Sequence, residues 1–574
     1  MGQAESKVDE WKAKTRSYPK HVQVRTSAWN GGDDMVLLRR FLYLGTESVY
    51  SSTFVYPDQK YADLINRLIY EGRGKEVVQL LATINYSGSA PRHNYIIFAL
   101  AVCARSDDIS TKKLAYDNLC QICRIPTHFF MFVDFCQFES EKSQSRSKGW
   151  GRAHRRAVLK WYEEKCKNPE GLARLLTTYN LCTVEGHGNR WSHKDIFRLG
   201  HLSSDDDLMK VVKTFVLFGF KKAQSQVSEE TKKNERVSEF LTYIGSTIKA
   251  KICFDEDELV GLIKRHGLGK QRVSKALMTS KNVWEAILKT MQPEAEIDIC
   301  MLSAKGLCGE DSEIEKEIIE KITNADFFHR ARVHPIRVLS VLLTYEKGEK
   351  RIGRKSNPRK KRKWNVNKNI VKALNEAYEF SFRDVQPTGK HVLLAVDVSE
   401  NMRVSCKGCP TIMCNQAAAS MMMMTARTEP NCKIFGFSEG FTQIRIDEDD
   451  TFSQTVEKME SLPSGKADCA IPMLWAKQHK EKIDVFIVYT DNIPTNGQTN
   501  PSKALEEYRR TMNQPETKLI LVAMAPNPDT TADPSRQVVI DSKKATTHDD
   551  REINIVGFDA HAATLIAKFI QDEL

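Results

Sequence analysis

The segment Ser192-His-Lys-Asp195 combines residue types that could bind an anion at the start of a helix. Serine followed three residues later by aspartate is the pattern of a capping box, so the sequence predicts that Ser192 caps a helix. The first turn of a helix has unpaired backbone N–H groups and the positive end of the helix dipole, which suits a phosphate. Basic and aromatic residues flank this start, namely Arg190, Trp191, Lys194 and Arg198. Trp191 could stack on an unpaired base, although an ordinary capped helix with solvated charges would show the same pattern.

A second group of basic residues is accompanied by Trp150 and Trp161. Its members are Lys148, Arg152, Arg155, Arg156 and Lys160. Spacings of 3, 1 and 4 residues along the last four place most of them on one face of a helix. Like charges at such spacings destabilise a helix by roughly 0.2–0.5 kcal/mol per pair. A polyanion would relieve that repulsion, so both RNA contact and a solvated basic face remain open.

Charge is divided unevenly along the 574 residues, which contain 85 Lys and Arg against 74 Asp and Glu. Residues 391–574 hold 19 basic and 26 acidic side chains, a net charge of −7. Because the whole chain carries +11, residues 1–390 carry +18. Eleven basic residues and one acidic residue fall between Lys347 and Lys368. This distribution predicts a polyanionic partner for the first part and a different partner for the second.

Apolar residues from position 33 to about 346 recur at the spacing of one-sided amphipathic helices. Three such stripes are Tyr61/Leu64/Ile65/Leu68/Ile69, Leu172/Leu175/Leu176/Tyr179 and Leu208/Val211/Val212/Phe215/Val216. No run of strand alternation stands out in this part. We therefore expect a flexible polar tail at 1–32, and then an α-solenoid of stacked helix pairs over 33–385 with a basic insertion at 348–368.

The period of the sequence changes after the turn at Pro387-Thr-Gly389. Short apolar runs, typical of buried parallel strands, alternate with helical stretches over residues 390–574. The predicted strands are His391–Asp397, Lys433–Phe437, Asp484–Tyr489, Lys518–Ala523 and Ile553–Val556. Such β/α alternation predicts a doubly wound α/β domain.

Several motifs resemble known domains. Those of the helical part resemble the TROVE domain, and they are Gly72-Arg-Gly74, Ile125-Pro-Thr-His128-Phe, Gly149-Trp-Gly-Arg152, Trp191-Ser-His-Lys-Asp195 and Ala331-Arg-Val-His-Pro335. Those of the second part resemble a von Willebrand A domain, and they are Leu393-Leu-Ala-Val-Asp397-Val-Ser399, Asp468-Cys469 and Thr490-Asp-Asn492. In this order the two resemble the family of the large Ro (SS-A) autoantigen, whose members bind RNA. The resemblance implies a ring of HEAT-like helical repeats closed by the von Willebrand A domain.

The resemblance also implies a function in noncoding-RNA quality control. Structured small Y RNAs would bind the outer surface of the ring, and single-stranded ends of misfolded RNAs would enter its central hole. His193 matches a family motif and is the first residue we expect to contact RNA. Arg124, with His128 nearby, matches another motif, where core packing explains the residues equally well.

A cation site is implied by the same resemblance, since von Willebrand A domains hold a divalent cation on three loops. Asp397, Ser399 and Asp491 match the pattern, whereas Asn401 replaces a serine and Ala467 stands where a threonine should ligate. Mg²⁺ prefers six hard oxygen ligands in octahedral geometry. We therefore expect weak or absent Mg²⁺ binding at this degenerate site.

Three further motifs leave alternatives open. Cys406-Lys-Gly-Cys409 resembles half of a zinc knuckle, but free cysteines in a loop are the alternative. The start Met1-Gly2, with Ser6, fits an N-myristoylation pattern that also arises by chance. The run Arg359–Lys363 is a nuclear import signal, a nonspecific RNA clamp or a solvated linker.

The sequence carries no phosphate-binding Gly-x-x-x-x-Gly-Lys-Ser/Thr loop, no Gly-x-Ser-x-Gly and no His-Glu-x-x-His, so we do not expect an enzyme. Fourteen cysteines without a secretion signal indicate reduced thiols, and we expect a cytoplasmic monomer with a nuclear pool. The first hypothesis is an RNA-binding scaffold. The alternative is a von Willebrand A protein-interaction module that binds a protein ligand through metal, with a basic N-terminal body tethered to a membrane.

Overall fold

The computed structural model describes residues 33–574 except for short segments. The segments outside the description are 47–48, 53, 55, 143–149, 179–181, 184–189, 229–230, 232, 292–297, 327–332, 352–360, 383–384, 493–499 and 526–549. The predicted tail with Gly2, the side chain of Arg190, Lys148 and the first half of the run Arg359–Lys363 therefore lie outside the described residues.

Helices make up most of the described part before residue 382. Helices α1 to α10 span Asp34–Leu44, Gln59–Tyr70, Gly74–Ser87, His93–Arg105, Ile109–Asp117, Leu119–Ile122, Pro126–Lys142, Arg152–Lys165, Pro169–Thr178 and His193–Gly200. Helices α11 to α19 span Asp207–Phe218, Phe220–Gln226, Glu235–Ile252, Glu256–His266, Lys281–Thr290, Ile299–Ala304, Glu313–Ile322, Pro335–Glu346 and Lys368–Ser381. Neighbours along the chain pack on one another, as in a helical-repeat solenoid.

The predicted apolar stripes become the buried faces of these helices. In α2 the buried side chains include Tyr61, Leu64, Ile65 and Leu68, and in α11 they include Leu208, Val211 and Val212. Burying such a stripe against the next helix supplies most of the stability of each repeat. None of the described helices combines the length and the apolar character that crossing a lipid bilayer requires.

The second part is a parallel sheet with helices between its strands. Strands β6, β7, β9, β10 and β11 span Val392–Asp397, Cys432–Phe437, Val485–Thr490, Lys518–Ala523 and Glu552–Val556. Helices α20 to α24 span Cys414–Thr428, Phe452–Glu460, Ile471–Gln478, Pro501–Met512 and Ala560–Ile570. The five predicted strands and the doubly wound architecture are thereby confirmed. Strand β8, Phe441–Gln443, adds an antiparallel edge beside β7.

Residues 33–346, where no run of strand alternation stands out in the sequence, contribute one short strand to the sheet of the C-terminal domain. Strand β1, Val49–Ser51, pairs in parallel with β11, so the sheet order is β1-β11-β10-β9-β6-β7-β8. Two short hairpins also occur, β2 (Cys182–Thr183) with β3 (Arg190–Trp191), and β4 (Glu349–Arg351) with β5 (Lys361–Lys363). The second hairpin lies inside the predicted basic insertion.

Both ends of the helical part rest on the C-terminal domain. At its start, β1 enters the sheet, and Arg40 of α1 donates a hydrogen bond of 2.8 Å to the Asp550 carbonyl. At its end, α18 packs on α20 and α24, and the Tyr378 hydroxyl of α19 lies 2.8 Å from Ser420 Oγ. The helical repeats therefore form a ring that the C-terminal domain closes.

Candidate nucleic-acid interface and C-terminal cleft

Helix α8 has an apolar face and a cationic face. His154, Ala157, Val158, Trp161 and Tyr162 are buried, whereas Arg152, Arg155, Arg156 and Lys160 are exposed. Lys160 lies 3.8 Å from Asp117, and the three arginines form no ion pair with any described residue. Their charges are therefore available to an anionic partner.

Helix α10 begins as the sequence predicts. Ser192 Oγ accepts a hydrogen bond from the backbone N–H of Asp195 at 3.2 Å, and the Asp195 carboxylate accepts from the backbone N–H of Ser192 at 3.0 Å. The capping box is thus confirmed. Lys194 and Arg198 are exposed and form no ion pair with any described residue.

His193 points into the core rather than outward. It is 4% exposed, its Nδ1 lies 2.7 Å from the Tyr162 hydroxyl, and its ring packs edge-on against Phe130 at 4.9 Å. Burial lowers the pKa of His193 to about 3, so the imidazole is neutral near pH 7. The geometry therefore does not support a charged contact between the His193 side chain and a phosphate. The Tyr162–His193 contact instead joins α8 to the first residue of α10.

The tryptophans are also buried, which corrects the expectation that Trp191 could stack on a base. Trp191 is 7% exposed, and its indole N–H donates to the Asp134 carboxylate at 2.8 Å. Trp161 is fully buried and stacks on Phe129 at 4.2 Å. Trp150 is half-buried, between His154 and Trp191. These tryptophan rings therefore pack in the core beneath the basic helices α8 and α10.

Arg124 lies at the surface, next to a pair of stacked imidazoles. Its side chain is exposed, and the rings of His93 and His128 stack at 4.8 Å. Burial, the His93 ring and the Arg124 charge together lower the pKa of His128 to about 4. At neutral pH the cationic group of this site is therefore Arg124, while His128 takes part in packing.

Acid is expected to destabilise the fold through its buried histidines. His154 and His193 both have pKa values lowered to about 3 by burial, against 6.5 for an exposed imidazole. Below pH 6.5 the unfolded chain binds more protons than the folded chain, so stability is lost as the pH falls toward 3. Between these two pH values, each histidine lowers the free energy of unfolding by roughly 1.4 kcal/mol for every unit by which the pH falls.

Urea unfolding at pH 7.0, 6.0 and 5.0 checks this expectation. His154→Gln should remove one such contribution, so its stability should fall less steeply with acid than that of the wild type. Equal slopes for the two proteins would contradict the neutral, buried state of His154.

The C-terminal cleft gathers the predicted cation ligands at the carboxyl ends of β6 and β9. The cavity has a volume of about 280 Å³, and it is lined by Asp397, Ser399, Asn401, Gly465, Lys466, Ala467, Cys469, Thr490, Asp491 and Asn492. Asp397 accepts hydrogen bonds from the Ser399 backbone N–H at 2.8 Å and from Thr490 Oγ1 at 2.9 Å. Thr490 Oγ1 also lies 3.4 Å from Asp491, so its hydroxyl stands between the two carboxylates.

The donor set of this cleft fits a hard cation, with one oxygen missing. Burial raises the pKa values of Asp397 and Asp491, and the Asp397 charge raises that of Asp491 further. Ser399 Oγ is buried and lacks a hydrogen-bond partner among the described residues. Two carboxylates that form no ion pair within the described ranges, beside the Ser399 hydroxyl, suit a divalent ion. Ala467 supplies no oxygen, so water would have to fill that position.

Cys406 and Cys409, which resemble half of a zinc knuckle, have no second pair of metal ligands beside them among the described residues. Cys406 lies against Cys414 with 3.8 Å between the sulfurs, and Cys409 lies 3.6 Å from Ser340 Oγ. Within the described ranges, no three His, Cys, Asp or Glu side chains are grouped so that they could share a metal ion.

Family models and solved structures agree with this architecture. The model described as the TROVE domain matches residues 30–344, and the model described as the Ro60 vWA domain matches residues 391–570. "RNA-binding protein RO60" of Caenorhabditis elegans is 30% identical, covering 94% of this chain and 88% of its own length. The protein of the same name from Deinococcus radiodurans is 29% identical and covers 96% of both chains.

The fold is shared as well. The crystal structure of the Deinococcus radiodurans RO (RSR) protein superimposes with a TM-score of 0.76 at 27% identity, covering 94% of this chain and all of the other. The order of the two domains and the overall fold thus agree with one family over nearly the whole chain. The chain belongs to the Ro60 family, with a TROVE domain followed by a Ro60-type von Willebrand A domain.

Proposed function

We propose that this protein is an RNA-binding scaffold that holds structured small RNA of the Y type on the outer face of its helical ring. Single-stranded ends of misfolded noncoding RNAs would enter the central hole of the ring, in noncoding-RNA quality control. The observation that carries the proposal is the joined pair of helices α8 and α10. Their exposed Arg152, Arg155, Arg156, Lys194 and Arg198 form no ion pair with any described residue.

Phosphates are the ligands that suit this surface. Guanidinium groups bind phosphate oxygens in a bidentate manner, and a capped helix start adds a favourable dipole. The aromatic rings near the surface are occupied by core packing, so recognition would rest on RNA shape and backbone rather than on base stacking. The relatives from Caenorhabditis elegans and Deinococcus radiodurans are both named RNA-binding proteins, which supports RNA as the partner of this chain.

RNA sequencing after affinity purification of the full-length protein from its own cells tests the proposal. A defined set of small stem-loop RNAs should co-purify, together with RNAs that carry single-stranded 3′ ends. In solution, a labelled stem-loop should stay bound when an unlabelled single-stranded oligonucleotide is added, because the two would occupy different sites. Recovery of protein partners without defined small RNA would contradict the scaffold function and favour the protein-interaction alternative.

We also propose that the C-terminal cleft binds Mg²⁺ weakly through Asp397, Ser399 and Asp491. A bound cation would offset the two carboxylate charges and present an open coordination position to an acidic ligand group. Thr490 Oγ1, which donates to Asp397 at 2.9 Å and lies 3.4 Å from Asp491, links the two carboxylates without the ion.

Restoring the missing oxygen should strengthen Mg²⁺ binding. Ala467→Thr places a hydroxyl at the deficient position, and we expect Mg²⁺ affinity to rise about tenfold, since affinity follows the number of oxygen ligands. Thermal unfolding across a MgCl2 series measures the effect, because a ligand that binds only the folded state raises the melting temperature. Asp491→Asn should abolish the Mg²⁺ response. Identical Mg²⁺ responses in wild type and both variants would contradict the site.

A further inference from the structure

Residues 404–414, here named the closing segment, form a small hairpin that leads from the loop of Ser399 and Asn401 into helix α20. Ser405 and Met413 are bridge partners, the Cys406 N–H donates to the Ile412 carbonyl at 2.9 Å, and the Cys414 N–H donates to the Val404 carbonyl at 2.8 Å. In such an antiparallel arrangement Cys406 and Cys414 are diagonal neighbours on one face. Their side chains therefore converge.

The two thiols are buried in direct contact. Cys406 is 2% exposed, Cys414 is fully buried, and their sulfur atoms are 3.8 Å apart. A disulfide requires about 2.05 Å between sulfurs, so small side-chain and backbone adjustments would bridge the gap. Cys409 in the same segment is half-buried and points to Ser340 instead. The hairpin thus places one cysteine pair together and leaves the third apart.

The closing segment holds the beginning of the helical ring. The Lys407 carbonyl accepts from Ser52 Oγ at 3.1 Å and from the Phe558 N–H at 2.7 Å, and the Lys407 N–H donates to Met524 at 2.9 Å. Packing here is tight, because a Cβ on Gly408 would lie 2.6 Å from the Ser52 side chain. Ser52 directly follows β1, the strand that the helical part contributes to the sheet.

The same segment also contacts the end of the ring. Thr411 Oγ1 lies 2.7 Å from Ser340 Oγ of helix α18, and Cys409 Sγ lies 3.6 Å from the same hydroxyl. One hairpin therefore contacts the first strand and the last long helix before the basic insertion. A constraint on this hairpin would act on the place where the ring closes.

We propose that Cys406 and Cys414 are a modification site at which hydroperoxide forms a disulfide that locks the closing segment. The proposal concerns the junction itself and does not depend on RNA binding. Locking would restrain the hairpin that contacts Ser52 after β1 and Ser340 of α18, where the ring meets the C-terminal domain. The cysteines would thus couple oxidation to the rigidity of this junction.

The chemistry balances with hydrogen peroxide as the oxidant. The hydrogen bond to Cys414 and burial raise the pKa of Cys406, so we assign the first attack to Cys414, the first residue of helix α20. The Cys414 sulfur attacks one peroxide oxygen, the O–O bond breaks, and a sulfenic acid and water form. The Cys406 sulfur then attacks the sulfenic sulfur, the S–O bond breaks, and the Cys406 proton leaves with the hydroxide as a second water. The two sulfurs lose two electrons in total, which the peroxide gains.

Mass spectrometry of the oxidised full-length protein locates the bond. The protein is treated with hydrogen peroxide, blocked with N-ethylmaleimide and digested with trypsin without reduction. Cleavage after Arg403, Lys407 and Arg427 separates Cys406 from the other two cysteines. The peptide of residues 404–407 should be linked to that of residues 408–427, with fragment ions assigning the link to Cys414. Cys409→Ser is the matched control and should keep the link, whereas Cys414→Ser should lose it.

Hydrogen exchange at the amides of Lys407 and Phe558 tests the locking. Because both sulfurs are buried, peroxide reaches them only during opening, and the bond should then slow exchange about tenfold or more. A reductant should restore the original rate. Three results would overturn the proposal. They are a disulfide to Cys409 instead of Cys414, oxidation of Cys409 without any disulfide, and unchanged hydrogen exchange after the disulfide has formed. If Cys414→Ser does not fold, the fragment ions from the wild type and Cys409→Ser still decide the assignment.

Discussion

Replacing Arg152, Arg155 and Arg156 together by glutamine is expected to weaken binding of a small stem-loop RNA about 100-fold at 0.1 M salt. The three guanidinium groups are exposed on α8 and form no ion pair with any described residue, so their loss costs the fold little. Each arginine that contacts a phosphate contributes close to one released counterion. Fluorescence anisotropy across a salt series should therefore show a slope of log K against log salt that is shallower by about two to three.

A matched variant separates this effect from net charge. Lys482, Lys503 and Arg510 are exposed on the C-terminal domain, and replacing all three by glutamine removes the same charge. The control should lose less than about threefold in affinity and keep its salt slope. Equal losses in the two triple variants would mean that RNA responds to total charge rather than to the face of α8.

His193→Ser is expected to abolish most RNA binding by displacing helix α10. The substitution removes a buried ring and leaves the Tyr162 hydroxyl without its partner, which should cost roughly 2–4 kcal/mol of unfolding free energy. Lys194→Gln should instead keep stability within roughly 0.5 kcal/mol and weaken RNA binding about tenfold. Urea unfolding and anisotropy on the same samples measure both quantities.

The conservative variant His193→Asn distinguishes a side chain that positions helix α10 from one that contacts RNA. The amide oxygen of asparagine can accept the hydrogen bond of Tyr162, so His193→Asn should recover stability and RNA affinity together. All RNA measurements are made at temperatures where circular dichroism shows the variants folded. Loss of RNA binding in His193→Asn at full stability, with Lys194→Gln unaffected, would show that the imidazole itself contacts RNA.

The burial of His193 was readable from the sequence, because it shares the period of the buried face. His193, Ile196, Phe197 and Gly200 follow the spacing of one helical stripe, and all four are buried. The capping box correctly predicts where α10 begins. It does not predict the direction in which the side chain of His193, the next residue, points. Helical periodicity decides that direction, and it places Lys194 and Arg198 outside.

Other features depend on contacts between distant parts of the chain and leave no local signal. Trp191 is held by Asp134, which is 57 residues away. Strand β1 has three residues, and its partner β11 lies about 500 residues later, so its sequence alone cannot indicate a strand. Strands β6, β9 and β10 were predictable because each is a largely apolar run that is buried on both faces, and β7 and β11 contain shorter apolar runs.

Photocrosslinking of bound RNA tests the central claim, that the ring grips RNA through the cationic face of α8 and α10. A 4-thiouridine-labelled stem-loop RNA is bound to the full-length protein, irradiated and digested, and the crosslinked peptides are identified by mass spectrometry. We predict crosslinks within residues 150–160 and 190–200, lost when excess unlabelled stem-loop is added. Crosslinks confined to the C-terminal domain, with none on these two helices, would contradict the account.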